Sequence, residues 1–383
     1  MPALESRAPE TAPPETALPQ SASAQPATPA PRVWLLLDDR PGHTTQVVGL
    51  AEALGWPYET KQLRFTALNR ISNRLLCASL LSLDAKRSDR LAPPWPDLVI
   101  AMGRRCAPVA RWVKRQSGGR TRLVQLGRKA ANVAADFDLA VTCLHFQLPP
   151  HPKRVDLLLP PTQVTPTRLQ QAAERWAGLF GDAPQPRVAL LVGGTTAHHR
   201  LDAETAARMA AEVDAFARSL GGSLTCVTSR RSGAAVEAAL QQAAPQAGFH
   251  FWRRERQENP YLGYLALADI LVVTGESESM LAEAADAAKP LYIYPVPAKP
   301  AGLRSRLAAR VLAAARRGSG LSDWLIQSGL VVPPRDLAVM HRGMAEAGVA
   351  RLFGEGPPAN APAAPPPRFD GVLARIRALV ELQ

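Results

Sequence analysis

The stretch at residues 270–294 constrains the fold more than any other part of the sequence. An apolar run at 270–273 is followed by Thr274-Gly275, a Ser/Glu-rich turn, a helix-forming segment at 280–288 and a second apolar run at 291–294. This order predicts a strand, a helix and a second, parallel strand. Open α/β sheets bind ligands at the carboxyl ends of their strands, where a helix N-terminus favours an anion. The alternative is an ordinary turn with capping serines.

The same pattern recurs on both sides of a proline-containing segment near residue 184. Apolar runs at 33–37, 97–101 and 123–126 precede it, and runs at 188–192 and 223–228 follow it, each with a turn and a helical segment behind it. We therefore predict an α/β fold with two Rossmann-like, doubly wound parallel-sheet domains facing a cleft. The predicted division is a disordered tail (1–31), an N-terminal domain (32–165), a linker (166–186), a C-terminal domain (187–300) and a helical extension (301–383).

Charge and composition restrict the partners. The net charge of +12 indicates an anionic partner: a phosphate-bearing substrate, a membrane surface or nucleic acid. No basic stripe interleaved with aromatics is present, so we expect no nucleic acid. The four cysteines are far apart, which predicts reduced core thiols, and no apolar run approaches the roughly 20 residues of a spanning helix. Signal-peptide features are missing, so we expect a cytoplasmic protein that meets the inner face of the cytoplasmic membrane.

Residues 63–91 form a basic amphipathic stretch in which arginines alternate with leucines. Such a stretch would lie on an anionic bilayer, with apolar residues inserted and arginines on phosphates. The alternative is a helix packed on its own domain with the arginines in water. The Asp136-Phe137-Asp138 triplet matches a short metal-binding pattern of some sugar transferases, but we interpret it as a loop before a strand, and we expect no metal site.

Three turns of the second half offer donors for a diphosphate. The Gly193-Gly194-Thr195 turn lets backbone N–H groups approach closely, Ser229 and Arg230 add a hydroxyl and a guanidinium, and the 275–279 turn adds hydroxyls at a helix start. In the first half, His43 follows Pro41-Gly42 and is a candidate general base, since its ordinary pKa lies near neutrality. Asp38 or Asp39 would orient it. A solvated loop histidine is the alternative.

These residues resemble a glycosyltransferase of the two-Rossmann, GT-B type. Compared with the lipid-intermediate N-acetylglucosaminyl transferase of peptidoglycan synthesis, the similar segments are 40–43 (RPGH), 96–104 (PDLVIAMGR), 192–195 (VGGT) and 268–290. That family holds the ribose hydroxyls of its nucleotide sugar with an acid in the last segment. By register this acid is Glu283, seven residues before Pro290.

Residues 33–352 more closely resemble the mitochondrial-fission "elongated mitochondria" family, which has a bacterial branch labelled as glycosyltransferases, some of them linked to lipopolysaccharide outer-core sugars. The most specific segments are Val33-Trp34, 38–43 (DDRPGH) and 274–280 (TGESESM). The resemblance implies the GT-B fold and a metal-independent, inverting glycosyltransferase. It would move a sugar from a nucleotide-diphosphate sugar, its co-substrate, to an envelope glycolipid or lipopolysaccharide-core acceptor as a peripheral membrane protein, with no separate cofactor.

The predicted site combines the residue patterns of the turns with the family resemblances. The catalytic pair is His43 and Asp39, with the acceptor on the first domain and the donor on the second. The acceptor-binding residues are Gly42, Gly103 and Arg104, and the donor-binding residues are Gly193, Gly194, Thr195, Ser229, Arg230, Gly275, Glu276, Ser277, Ser279 and Glu283.

One feature departs from the transferase pattern. Glu276 and Glu278 stand where the pattern has small neutral residues, and carboxylates repel a diphosphate unless Arg230 and Arg231 compensate for them or the acids contact sugar hydroxyls. Two alternatives therefore stay open. One is a nucleotide-sugar epimerase of the same fold in which Glu276 and Glu278 transfer protons, and the other is a non-catalytic, membrane-associated scaffold.

Overall fold

The structure is a computed structural model that describes residues 30–255, 258–356 and 370–381. The described residues from Pro31 onward form one compact unit. Nearly all of the predicted tail at 1–31 lies outside the described residues.

The first half contains six strands, and helices follow most of them. In chain order the elements are β1 (Val33–Leu37), α1 (Pro41–Leu54), β2 (Tyr58–Gln62), α2 (Asn73–Leu76), β3 (Leu98–Met102), α3 (Gly103–Gln116), β4 (Arg122–Leu126), the irregular turn α4 (Arg128–Ala131), β5 (Leu139–Cys143), β6 (Arg154–Leu157) and α5 (Pro166–Arg175).

The second half repeats the alternation and then becomes mainly helical. Its elements are β7 (Arg187–Val192), α6 (Ala203–Ser219), β8 (Ser223–Thr228), α7 (Ala234–Ala243), β9 (Gly248–His250), α8 (Tyr261–Leu267), β10 (Ile270–Thr274), α9 (Glu278–Asp286), β11 (Leu291–Tyr294), α10 (Leu303–Arg316), α11 (Gly320–Gln327), α12 (Leu337–Glu346), β12 (Arg351–Leu352) and α13 (Asp370–Glu381).

The strands form two six-stranded sheets in which every neighbouring pair is parallel. The first has the order β2-β1-β3-β4-β5-β6 and the second the order β12-β11-β10-β7-β8-β9. The second order is the Rossmann order 3-2-1-4-5-6 when its strands are counted from β7. The predicted fold class, two Rossmann-like parallel-sheet domains facing a cleft, is confirmed.

Burial explains why these runs become strands. Every residue of β1, β5, β10 and β11 is buried, as expected for parallel strands covered by helices on both faces. Helix α1 begins with Pro41 in its first turn and ends before Gly55, whose φ of 74° suits a glycine at this position. The N-termini of α1 and α9 therefore follow the carboxyl ends of β1 and β10.

The chain after residue 300 joins both sheets. Strand β12 pairs in parallel with β11, so the predicted helical extension also contributes a strand. Leu312, Ile326 and Ile376 pack into the apolar core of the first sheet. The predicted domain boundaries stay predictions, since the described chain from Pro31 forms one unit.

Residues 63–91 do not form a continuous helix, so the alternative of one helix packed on its domain is wrong. The stretch contains a 3₁₀ turn (Ala67–Arg70), the four-residue helix α2 and irregular connections. Leu68, Leu75 and Leu81 are exposed by 47%, 77% and 67%, so this surface is apolar and basic at once. Among the described residues, no helix combines the length and apolarity needed to cross a bilayer.

Candidate active site

A cavity of about 580 Å³ lies where the two sheets face each other. The first sheet contributes the start of α1, including Gly42 and Thr45, and the second sheet contributes the turns after β8 and β10. A Cβ atom on Gly42 would lie 4.0 Å from Oγ of Ser279, so the starts of α1 and α9 approach each other closely. Of the predicted donor-binding residues, those that line this cavity are Ser229, Arg230, Glu276, Ser277, Ser279 and Glu283.

The backbone N–H groups of Gly193 and Gly194, predicted to donate hydrogen bonds to a phosphate, have side-chain acceptors in the structure. The Gly193 N–H donates to Oγ1 of Thr274 at 2.8 Å, and the Gly194 N–H donates to Oε1 of Glu276 at 2.7 Å. A Cβ atom on Gly193 would lie 1.9 Å from that same Oε1. Glycine is needed at this turn because Glu276 packs against the backbone. The Glu276 carboxylate thus accepts the hydrogen bond from Gly194 that was predicted for a phosphate.

Glu276 has one oxygen committed and one free. The residue is only 2% exposed, and its Oε2 has no hydrogen-bond partner among the described residues. Burial raises the pKa of this carboxyl, and the hydrogen bond from Gly194 opposes the shift. Glu276 lines the cavity, and its buried Oε2 lacks the hydrogen-bond partner that buried polar atoms usually have.

Thr195 and Gly275 do not reach the cavity either. The Thr195 hydroxyl donates to the Leu201 carbonyl at 3.0 Å, and the Gly275 N–H donates to the Tyr294 carbonyl at 2.8 Å. These hydrogen bonds hold the two loops in place, and a ligand role for either residue stays a prediction.

Glu278 connects the two sheets. Nε2 of His145, which follows β5, lies 3.3 Å from its Oε2, and Arg335 donates to its Oε1. Burial alone would raise the pKa of Glu278, but His145 and Arg335 together lower it. The charge that looked adverse in the sequence is thus neutralised by groups distant in the chain.

Cationic and hydroxyl groups surround the remaining wall of the cavity. The Arg231 guanidinium donates to Oγ of Ser277 at 3.3 Å. Arg230 is exposed, lines the cavity and takes part in no ion pair among the described residues. The two guanidiniums and the α9 N-terminus together form a region that favours phosphate oxygens.

Glu283 lies at another part of the same wall. The Tyr261 hydroxyl donates to its Oε2 at 2.9 Å. Burial raises the pKa of Glu283 to about 7, with the hydrogen bond from Tyr261 lowering it and the neighbouring Asp286 raising it. The hydrogen bond from Tyr261 fixes the orientation of this carboxyl in the cavity wall.

Across the cleft, His43 is oriented by Asp38 and not by the predicted Asp39. Nδ1 of His43 lies 3.0 Å from the Asp38 carboxylate, which is buried. Asp39 turns outward and pairs with Arg105 at 2.8 Å. With Nδ1 bonded to Asp38, Nε2 is the ring nitrogen available to accept a proton.

Gly103 is placed directly against His43. Its φ of 75° and the 2.8 Å from an added Cβ to Cε1 of His43 both require glycine here. His43, Gly103 and Arg104 line a second cavity of about 640 Å³, which meets the first at Glu278 and Arg335. The basic residues that line the second cavity are Arg40, Arg70, Arg104, Arg105, Arg128, Lys129 and Arg335.

The Asp136–Asp138 triplet has a structural role, as interpreted from the sequence. Asp136 pairs with Arg111, and Asp138 pairs with Lys114 and accepts the Leu123 N–H. In the described part of the chain, no group of three or more His, Cys, Asp or Glu side chains is arranged to hold a metal ion.

Sequence reasoning missed Arg335 and Tyr261. Arg335 lies 57 residues beyond Glu278 and reaches it only because the chain returns after α11. Tyr261 begins α8, and no motif marks it as the partner of Glu283. Spacing in the sequence gives no signal for either contact.

Comparison with known proteins gives a family match. The family model described as Mitochondrial fission ELM1 matches residues 41–318, well over half of the chain. Mitochondrial fission protein ELM1 of Arabidopsis thaliana is 26% identical, with 56% of this chain and 56% of that protein covered. Uncharacterized protein RP120 of Rickettsia prowazekii (strain Madrid E) is 23% identical, with 68% and 82% covered. The chain thus spans little more than half the length of the Arabidopsis relative.

Solved structures with similar folds include nucleotide-sugar proteins. A UDP-glucosyltransferase from Polygonum tinctorium has a TM-score of 0.45 at 11% identity, covering 93% of this chain and 99% of that one. The UDP-GlcNAc 2-epimerase of Methanocaldococcus jannaschii has a TM-score of 0.45 at 10% identity, covering 91% and 92%. Both scores are below 0.5, and nothing about the chemistry of this chain follows from them.

Proposed function

The chain belongs to the mitochondrial fission ELM1 family, and we propose that it is a metal-independent glycosyltransferase that uses a nucleotide-diphosphate sugar. The observation that carries the proposal is the position of the His43–Asp38 pair. It lies beside a cavity whose opposite wall holds guanidiniums, hydroxyls and three carboxyls. In this proposal His43 is the base for an acceptor hydroxyl, and the groups across the cavity bind a sugar diphosphate.

The donor occupies the first cavity in this proposal. Arg230, Arg231 and Ser277 contact the diphosphate at the N-terminus of α9. Glu283 accepts hydrogen bonds from the ribose hydroxyls, and the free Oε2 of Glu276 accepts one from a sugar hydroxyl. The two acids therefore contact hydroxyls, and the phosphates contact the arginines.

The reaction is a direct displacement. Nε2 of His43 takes the proton of the acceptor hydroxyl as its oxygen forms a bond to the anomeric carbon. The bond from that carbon to the diphosphate breaks, and the nucleoside diphosphate leaves with the electron pair. One displacement inverts the configuration at the anomeric carbon. Asp38 stabilises the imidazolium that forms.

The acceptor in this proposal is amphiphilic, either an envelope glycolipid or a lipopolysaccharide core, met at the inner face of the cytoplasmic membrane. Leu68 and Leu75 are exposed, and Leu68 directly precedes Asn69 and Arg70, which line the second cavity. An apolar surface beside a cationic cavity suits a molecule with a lipid part and an anionic head.

The epimerase alternative needs Glu276 and Glu278 free for proton transfer. Glu276 is engaged by the Gly194 N–H, and Glu278 by His145 and Arg335. The transferase proposal leaves these contacts intact and uses only the unbonded oxygen of Glu276. We therefore favour transfer.

A thermal-shift screen of nucleotide-diphosphate sugars tests donor binding. A ligand at a hundredfold excess over its Kd stabilises the folded protein by about 2.7 kcal/mol, which raises Tm measurably. We expect one nucleotide to shift the wild type, Arg230→Gln to lose the shift, and Arg218→Gln on α6 to keep it. If no nucleotide sugar shifts the wild type, while vesicle binding survives His43→Ala and Glu283→Ala, the scaffold alternative replaces the transferase.

A further inference from the structure

The second cavity carries far more positive than negative charge. Seven basic side chains line it, against the single carboxylate of Glu278. They come from the loop after β1, the first turn of α3, the turn α4, the 3₁₀ turn before α2, and the segment after α11. Separate segments of the chain therefore supply cations to the same space.

Part of this charge is compensated and part is not. Arg105 pairs with Asp39, and Arg335 pairs with Glu278. Arg104 donates to the carbonyls of Asn69 and Ile71, which leaves its charge unneutralised. Arg128 donates to the carbonyl of Pro333, and the charge of Glu278 offsets its own only in part. Within residues 30–255, 258–356 and 370–381, no carboxylate forms an ion pair with Arg70, Arg104, Arg128 or Lys129.

The cations are close enough to repel one another. Burial lowers the pKa of Lys129, and Arg128, Arg104 and Arg40 lower it further. The pKa of Arg104 is lowered in the same way, by burial and then by Arg105 and Arg40. Like charges held together without a counter-charge raise the free energy of the unliganded protein, and a bound anion relieves that repulsion.

We propose that the second cavity binds a phosphate group of the acceptor, next to the hydroxyl that receives the sugar. This inference rests on the proposed function, since it names the chemical class of the acceptor. A phosphate carries about −1.5 to −2 charge at neutral pH and offers three acceptor oxygens. Four cations that form no ion pair, supplied by separate segments of the chain, suit a phosphate better than they suit a ligand with a single carboxylate.

The position of His43 gives the phosphate a function. The imidazole ring lines the same cavity as Arg104 and Lys129. A phosphate held there fixes the neighbouring sugar hydroxyl near Nε2 of His43, which is the positioning that a bimolecular transfer requires. An acceptor without the phosphate loses this anchor.

Calorimetric titration with inorganic pyrophosphate tests the site in the full chain. The wild type is expected to bind at two sites, one in each cavity. Lys129→Gln/Arg70→Gln weakens one of them by at least about tenfold, since hydrogen bonds to charged groups each contribute about 1.5–3 kcal/mol. Arg230→Gln weakens the other. The control Arg115→Gln/Arg218→Gln removes two exposed charges outside both cavities and keeps both sites.

The outcomes separate the two proposals. If Lys129→Gln/Arg70→Gln binds pyrophosphate as the control does, the second site is overturned, whatever nucleotides do at Arg230. If that variant loses a site while no nucleoside diphosphate binds the wild type, the anion site stands and the transferase fails.

Two further probes distinguish the source of the phosphate. Phosphatidylcholine vesicles with and without phosphatidic acid present it as a lipid headgroup, and glucose 6-phosphate presents it as a soluble ester. Binding that depends on Lys129 and Arg70 with either probe supports the site and identifies the source. If neither probe shows this dependence, the phosphate assignment is wrong.

Discussion

Nδ1 of His43 lies 3.0 Å from the carboxylate of Asp38, which is buried at the end of β1. The neighbouring Asp39 points the other way and pairs with Arg105. Two adjacent acids thus have different partners, and only one of them fixes the imidazole. Substituting Asp38 and Asp39 separately therefore tests whether His43 acts as a base or has only a structural role.

Substitution of the two acids tests that arrangement. His43→Ala should lower kcat by about 10²- to 10⁴-fold by removing the base. Asp38→Asn should lower kcat by at least about tenfold with little change in donor KM, because the amide cannot stabilise the imidazolium. Asp39→Asn is the matched control and should stay near wild type. Equal losses from Asp38→Asn and Asp39→Asn in steady-state kinetics would contradict the assignment.

Gly193→Ala tests the contact between the first turn and Glu276. The new Cβ would lie 1.9 Å from Oε1 of Glu276 and displace the carboxylate from the Gly194 N–H. We expect a loss of about 2 kcal/mol or more in the free energy of unfolding, from overpacking and the lost hydrogen bond. Gly178→Ala, which meets nothing within 4 Å, should change it by less than about 0.5 kcal/mol. Chemical denaturation measures both, and a neutral Gly193→Ala would remove the structural explanation of this glycine.

The pKa of Glu283 makes stability depend on pH. Because burial raises this pKa from about 4.5 to about 7, the folded protein retains a proton that the unfolded chain releases between those values. The folded state binds more protons in that window, so the free energy of unfolding falls as pH rises from about 4.5 to about 7. Glu283→Gln removes this slope while keeping an oxygen for the Tyr261 hydroxyl.

Denaturation of wild type and Glu283→Gln at several pH values measures the difference. Each unit of pKa shift corresponds to about 1.4 kcal/mol, so the two curves should diverge by at most about 3.5 kcal/mol, with the variant gaining stability relative to the wild type as pH rises. Parallel curves from pH 4.5 to 7 would show that folding does not raise the pKa of Glu283.

The sequence predicts the fold well because the signals are local. Fully apolar runs such as 33–37 and 270–273 are typical of strands covered on both faces, and the turns after them predict where helices begin. The family resemblance drawn from residues 38–43 and 274–280 is confirmed by the match over 41–318. Residues 63–91 were harder, since their alternating leucines and arginines suit a helix but the chain forms short turns held by Arg104.

The candidate site was only partly accessible to sequence reasoning. Ser229, Arg230 and Ser277 face the cavity because they follow strand ends, and Glu283 lines it from within α9. The glycine turn at 193–194 looked like a phosphate loop, and no local pattern shows that Glu276, 82 residues later, takes the Gly194 N–H. Likewise, nothing in the spacing pairs Glu278 with Arg335. Long-range side-chain contacts decide these roles, and they depend on the folded topology.

Sugar transfer can be measured directly from its two products. The protein is incubated with a panel of nucleotide-diphosphate sugars and an envelope glycolipid extract, and the released nucleoside diphosphate and glycosylated lipid are quantified together. We expect equal amounts of both products from one donor. Their formation should require the acceptor and should be lost in His43→Ala. The proposal is contradicted if the wild type releases neither product from a donor that it is shown to bind. It is also contradicted if the sugar is converted without any acceptor.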